Sequence, residues 1–151
     1  MLKLPRLKEQ TVNLPIRPAK IPHKVYIPLS QHIGKPCEPI VKAGDTVKAG
    51  QLIATLSEKT IFAPVHSSIS GTVTAIGEFA HPLLGTSKAI VIESDTADQK
   101  INFKQLSQAD IDKFSPENIR RILADAGIVG IGGAGFPTAV KLSPPKLVDN
   151  F

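Results

Sequence analysis

Between residues 25 and 95 the apolar positions come in short runs, VYIPL, EPIVKAGDTVKAGQLIATLS, TIFAPVHSSISGTVTAIG and SKAIVIES, each bounded by Gly, Pro, Asp or Ser. Runs of this length and punctuation predict strands joined by turns, and none sustains a helical period. Ahead of them, residues 1 to 24 show neither period. Their prolines favour extended backbone, which predicts an arm rather than an element. After Ser94 the pattern changes again: DTADQKINF reads as a polar linker leading into a strand-like INF at 101 to 103. Two helix starts follow. Ser107 is placed as an N-cap with Asp110 at the third helical position, and Leu106 with Ile111 as a hydrophobic staple. Ser115-Pro116-Glu117 supplies a cap, a proline in the first turn and an acid beside it. The second helix, over about 116 to 126, sets Ile119, Ile122, Leu123 and Ala126 on one face, and Gly127 ends it.

Within the β region, Ala43-Gly44-Asp45-Thr46-Val47-Lys48-Ala49-Gly50-Gln51 reads as turn, strand residues and second turn, with glycines where positive φ is needed. Ala63-Pro64-Val65 and Ser70-Gly71-Thr72-Val73 give a matching pair of strand starts further on, so the two halves form a pseudo-repeat.

Composition narrows the class. The 151 residues are 42% hydrophobic but hold only six Phe, one Tyr and no Trp, so any core rests on Val, Ile, Leu and Ala. No run approaches the roughly 18 to 20 apolar residues of a membrane span, and MLKLPRLKEQ has no apolar h-region behind it. The chain reads as cytosolic without an anchor of its own. Its single cysteine, Cys37, excludes an internal disulfide and any cysteine-only metal or iron–sulfur site, and reads as structural. The four histidines, His23, His32, His66 and His81, fall in Pro- and Ser-rich connections without the spacing of a helical metal pair. Net charge is +5, placed unevenly: residues 1 to 48 carry nine Lys or Arg against three acids, and residues 49 to 151 nine against ten. Basicity confined to a proline-interrupted arm, without stacking aromatics or a recognition helix, argues against nucleic acid.

The most concentrated candidate chemistry is GIVGIGGAGFPTAVKL, Gly127 to Leu142, with five glycines in its first nine residues. Gly130-x-Gly132-x-x-Gly135 matches the dinucleotide fingerprint as a bare pattern, but it follows a helix instead of a strand and lacks an acid about twenty residues on. The physics of the loop still holds: glycines let backbone amides approach an anion, and a following helix N-terminus adds donors. Lys141 is placed to supply a countercharge. The alternative is a glycine-rich turn that packs a helix closely against a sheet.

The GDxVxxGQ and APVxGxV phrases resemble the barrel-sandwich hybrid of biotinyl and lipoyl carrier domains. In those carriers an exposed hairpin lysine is acylated; Ser57-Glu58-Lys59-Thr60 falls in about that place but lacks the carriers' motifs, so Lys59 reads as a solvated hairpin lysine. A carrier modified on Lys59 is one alternative, which intact mass would decide. The run Gly132-Gly133-Ala134-Gly135-Phe136-Pro137-Thr138, ending in Lys141-Leu142, resembles the GGAGFPT…K motif of the flavin- and NADH-binding subunit of respiratory complex I. Together with VYIPLSQHIGKP and APVHSSISGTV, it makes the chain resemble the RnfC subunit of the ion-translocating Rnf electron transport complex, from about Leu4 to Lys146. A cobalamin reductase of microcompartments shares the architecture and is the second alternative.

The resemblance implies a mainly β fold with a small α part: an extended basic arm (1–24), a barrel-sandwich hybrid (25–95), then a helical segment and the start of an α/β flavin-binding domain (96–151). It implies a subunit that exchanges a hydride with NADH through FMN and passes electrons to [4Fe-4S] clusters. Its partners would be the other subunits of a membrane complex on the cytoplasmic face of the bacterial inner membrane, with no transmembrane segment in this chain. Gly130, Gly132, Gly133, Ala134, Gly135 and Phe136 would meet FMN through backbone, and Lys141 its polar groups. Ile131 stands where complex I has an arginine. The family's remaining flavin domain and its two sets of four cysteines are absent, so the chain reads as an N-terminal fragment of a longer protein. By itself it is expected to hold no cofactor and not to oxidise NADH.

Overall fold

The structure is a computed structural model that describes residues 9–58, 60–103, 105–131 and 133–143. Residues 9–23 form a turn followed by an exposed, irregular chain, and the first strand begins at Lys24. The strands are β1 (Lys24–Pro28), β2 (Glu38–Pro39), β3 (Thr46–Val47), β4 (Leu52–Thr55), β5 (Val65–His66), β6 (Gly71–His81) and β7 (Gly85–Ser94). They make two antiparallel sheets, β1-β7-β6-β3 and β2-β4-β5. The inward faces close on one aliphatic core drawn from both: Ile27 and Leu29, Val47, Ile53 and Ala54, Val65, Val73, Ile90 and Ile92. Ile53, Val73, Ile90 and Ile92 are all 0% exposed. Burying an aliphatic side chain of this size stabilises by about 1.5–3 kcal/mol, so a core without Trp or Tyr suffices. The barrel-sandwich hybrid implied by the resemblance is the fold that forms.

The two glycine turns form as expected and are built alike. Gly44 and Gly50 take φ of +95° and +84°. In the first turn the Asp45 carboxylate accepts the Lys42 amide at 2.9 Å; in the second the Gln51 side-chain oxygen accepts the Lys48 amide at 3.0 Å. Repetition of Lys-Ala-Gly followed by a side-chain acceptor therefore gives the same local solution twice. Cys37 is buried, its Sγ donating to the Ala63 carbonyl at 3.1 Å, and burial pushes the thiol up. A thiol held in its neutral form packs and does not react, in keeping with the structural reading.

Two expectations are corrected. His66 lies in β5 and His81 ends β6, so neither sits in a connection. Ile101 to Phe103 do not form a strand: among the described residues the linker makes one parallel bridge, Ala49↔Lys100, with the Ile101 amide donating to the Ala49 carbonyl at 3.0 Å. The reason is that Ile101 and Phe103 cover Gly50, where an added Cβ would meet the Phe103 ring at 2.7 Å. They cap a turn instead of extending a sheet. The second helix, whose apolar residues lie on one face, buries none of them fully.

That helix is α2 (Pro116–Asp125), preceded by a single turn, α1 (Gln108–Ile111), and followed by α3 (Thr138–Lys141). Ser107 and Asp110 form the expected capping box; Leu106 and Ile111 both stay exposed. At α2 Ser115 accepts the Asn118 amide and the Asn118 side chain answers the Ser115 amide, so the reciprocal partner is an asparagine. Ile119 and Ile122 remain 40% exposed. The helix stops as a Schellman motif: Gly127, at φ +65°, donates to Ala124 and Ile128 donates to Leu123. An added Cβ at Gly127 would come within 2.4 Å of the Pro64 carbonyl oxygen, so the end of α2 rests directly on the barrel.

Candidate functional site

The glycine loop is closed at its neck. The Thr138 amide donates to the Ile128 carbonyl at 2.9 Å, the Gly130 amide donates to the Phe136 carbonyl at 3.0 Å, and Val129 and Pro137 form an antiparallel bridge between them. Gly135 has φ +62°, and an added Cβ there would lie 2.9 Å from the Gln31 carbonyl oxygen and 3.1 Å from His32 Cα. The loop backbone therefore lies on the β1–β2 connection of the barrel, at a separation that only glycine permits.

Above the neck the loop is open. Among the described residues, the amides of Ile131, Gly133, Ala134 and Gly135 donate to no partner, and an added Cβ at Gly133 would meet nothing within 4 Å. The Lys141 ammonium folds back across the neck, 2.8 Å from where a Gly130 Cβ would stand and 5.9 Å from the Phe136 ring centroid. Unpaired amides in a tight glycine loop beside a lysine suit an anionic group such as a phosphate. Gly130, Gly133, Ala134 and Gly135 thus line one opening, with Phe136 and Lys141 held together at its neck beside Gly130. Gly132 and Lys59 lie outside the described residues.

One sequence expectation about this loop is modified. The helix after it, α3, has four residues, its cap is Pro137 without an amide, and the Thr138 amide is already spent on Ile128. The loop's own amides, not a helix terminus, are the available donors. Ile131 is fully solvent-exposed at the tip, so the position that carries arginine in complex I here carries an apolar side chain into water.

The barrel supplies residues that the sequence did not announce. A cleft of about 490 Å³ opens between the glycine loop and the barrel, and Gln31, His32, His81, Leu83 and Leu84 line its barrel side. Leu83 and Leu84 form the tip of the β6–β7 hairpin, 89% and 59% exposed. Two leucines in the three-residue turn Pro82 to Leu84, where polar residues are usual, were the signal available in the sequence.

Beneath the loop, a smaller cavity of about 210 Å³ lies between the barrel and the end of α2, with His32, His66 and Gly127 in its wall. Burial holds both imidazoles below the usual histidine range, with the Lys35 carbonyl partly opposing this at His32. A depressed histidine pKa means that the unfolded or undocked chain binds the proton more readily. The joint is therefore at full strength above the ordinary histidine value of about 6.5 and weakens as pH falls through and below it. Amide exchange of residues 127–143 is expected to rise on going from pH 7.5 to 5.5, after correction for intrinsic rates, while that of Ile53, Ile90 and Ile92 stays unchanged. Equal protection of the loop at both pH values would contradict this.

The fold is a barrel-sandwich hybrid with a glycine-rich loop seated on its flank. Residues 2–97 match the family model described as the RnfC barrel sandwich hybrid domain, and the chain belongs to that family. Among its curated relatives, the C subunit of the proton-translocating ferredoxin:NAD(+) oxidoreductase complex of Clostridium ljungdahlii is 47% identical over 95% of this chain and 32% of its own length. The C subunit of the Na(+)-translocating ferredoxin:NAD(+) oxidoreductase complex of Acetobacterium woodii is 42% identical over 96% of this chain and 33% of its own length. That of the ion-translocating oxidoreductase complex of Pseudomonas aeruginosa is 42% identical over 94% of this chain and 18% of its length. The chain thus spans a third or less of these relatives. Among the described residues no helix is long and apolar enough to cross a membrane.

Proposed function

We propose that the chain is the N-terminal part of the electron-input subunit of an ion-translocating ferredoxin:NAD oxidoreductase complex, bound to the other subunits at the cytoplasmic face of the bacterial inner membrane. The observation that carries this reading is the open glycine loop, with its unpaired amides and Lys141, seated on a barrel of the RnfC family. The residues present fit the phosphate end of FMN. The amides of Gly133, Ala134 and Gly135 would hold its oxygens, and Lys141 would balance its charge. Phe136 positions the lysine from below. When bound, FMN supplies the ability to exchange a hydride with NADH and to pass electrons singly to iron–sulfur clusters. Those clusters would be held by residues outside this sequence, since Cys37 is its sole cysteine and is buried with a raised pKa.

The reading is tested on the longest polypeptide that the gene encodes. Titration with FMN, followed by flavin fluorescence, is expected to saturate at one equivalent and to accompany NADH oxidation, whereas residues 1–151 alone are expected to bind FMN at least about tenfold more weakly, most of the pocket being missing. A longer polypeptide that folds and takes up no FMN would overturn it.

A further inference from the structure

We infer that the barrel is a wall of the cofactor site: the β6–β7 hairpin tip covers the flat ring of a phosphorylated heteroaromatic ligand whose anionic end lies on the glycine loop. The inference rests on the preceding reading of the loop and adds a ligand-binding role for Gln31, His81, Leu83 and Leu84.

Three observations converge on it. The cleft between loop and barrel, about 490 Å³, falls within the range of small-molecule and cofactor sites. Its two sides have complementary chemistry for such a ligand: the free amides of Gly133, Ala134 and Gly135 on the loop side, with the Lys141 ammonium outside the lining but next to Gly130, and Leu83 and Leu84 on the hairpin side. An anionic group and an apolar plane on one molecule would satisfy both at once. The hairpin tip is also fixed in place. His81 Nδ1 accepts the amides of Leu83 at 3.1 Å and Leu84 at 3.2 Å, which locks a turn that holds two leucines in solvent.

The polar groups of the barrel side are arranged for a ring edge. With Nδ1 committed as an acceptor, the His81 proton is assigned to Nε2, leaving one N–H donor. Gln31 Nε2 donates to the Pro28 carbonyl at 2.9 Å, which leaves its side-chain oxygen as an acceptor. A donor and an acceptor beside an apolar surface match a heterocycle that carries both a carbonyl and an N–H. The exposure of Leu83 is then explained as surface that the ligand covers.

The test uses the longest encoded polypeptide, with FMN and riboflavin titrated separately into wild type, a Leu83→Asp/Leu84→Asp double variant and Lys141→Gln. The hairpin variant is expected to weaken both FMN and riboflavin by at least about tenfold; the loss for riboflavin, which has no phosphate for the added carboxylates to repel, reports the ring that both share. Lys141→Gln is expected to weaken FMN and leave riboflavin unchanged, because only FMN has the phosphate. Leu83→Met/Leu84→Met is expected to bind as wild type does, and the exposed position of these residues predicts no change in melting temperature. Should wild type bind FMN and the Asp variant bind it equally well, the hairpin wall is wrong while the loop reading stands. Should wild type bind no FMN, both fall.

Discussion

A Gly135→Val chain is expected to keep its barrel and lose its cofactor cleft. The substitution places a β-branched residue at φ +62°, a left-handed conformation that costs an L-residue about 1–2 kcal/mol and a β-branched one more. Its Cβ would also stand 2.9 Å from the Gln31 carbonyl oxygen and 3.1 Å from His32 Cα, both backbone atoms. The barrel side cannot give way easily. Leu29, just before this connection, is 1% exposed, its amide donates to Lys88, and its carbonyl accepts the Cys37 amide. The loop must therefore lift, which separates its amides from the hairpin wall. In the longest encoded polypeptide, FMN affinity is expected to fall by more than about tenfold, since each 1.4 kcal/mol is one decade. Exchange of the Gly130 amide, now protected by the Phe136 carbonyl, is expected to accelerate, with core amides unaffected. Wild-type affinity in this variant would show that the loop's seat on the barrel is irrelevant to binding.

Gly127→Ala should loosen the helical segment by at least about 2 kcal/mol, the left-handed cost alone accounting for 1–2 of it. The residue is the C′ position of the Schellman motif at φ +65°, and its Cβ would press to within 2.4 Å of the Pro64 carbonyl oxygen. Strain and clash act together there. Either the helix end unwinds or α2 moves off the barrel, and both expose the cavity that holds His32 and His66. Gly133→Ala is the matched control for stability, because its φ is not left-handed and its Cβ would have nothing within 4 Å. Hydrogen exchange resolved by residue would register faster exchange over 115–143 for the first substitution and none for the second. If both variants behaved alike, close approach at Gly127 would not be what holds the segment down.

Much of this architecture is legible in the sequence because it is local. The Lys-Ala-Gly turns, the Ser107 and Ser115 caps and the Gly127 stop each depend on a handful of neighbouring residues. The short punctuated runs announce strands for the same reason. What fails is what depends on a distant partner. Ile101 to Phe103 have strand-like composition, but Gly50 offers them a bare backbone to cover, and packing there overrides propensity. His66 and His81 sit among prolines and serines, yet pairing with Leu52 and Gly85 draws them into strands. The glycine loop was recognisable from its own residues, but the length of α3 was not, and with it the absence of helix-end donors. Of the cleft's barrel wall the sequence shows only the two leucines of the hairpin turn, since nothing near Leu83 or Gln31 refers to Gly135.

The seating of Gly135 on Gln31 and His32 also imposes an order of events during synthesis. A ribosome delivers the chain from its N-terminus, and domains tend to fold as they emerge. All seven strands of the barrel precede the loop, so the barrel's core can close while Gly127 to Lys141 are still being made or held in the exit tunnel. The loop then takes its shape against a finished template instead of searching for one. The cleft between loop and barrel is then completed last, and a barrel that folds slowly would delay it without any change to the loop itself.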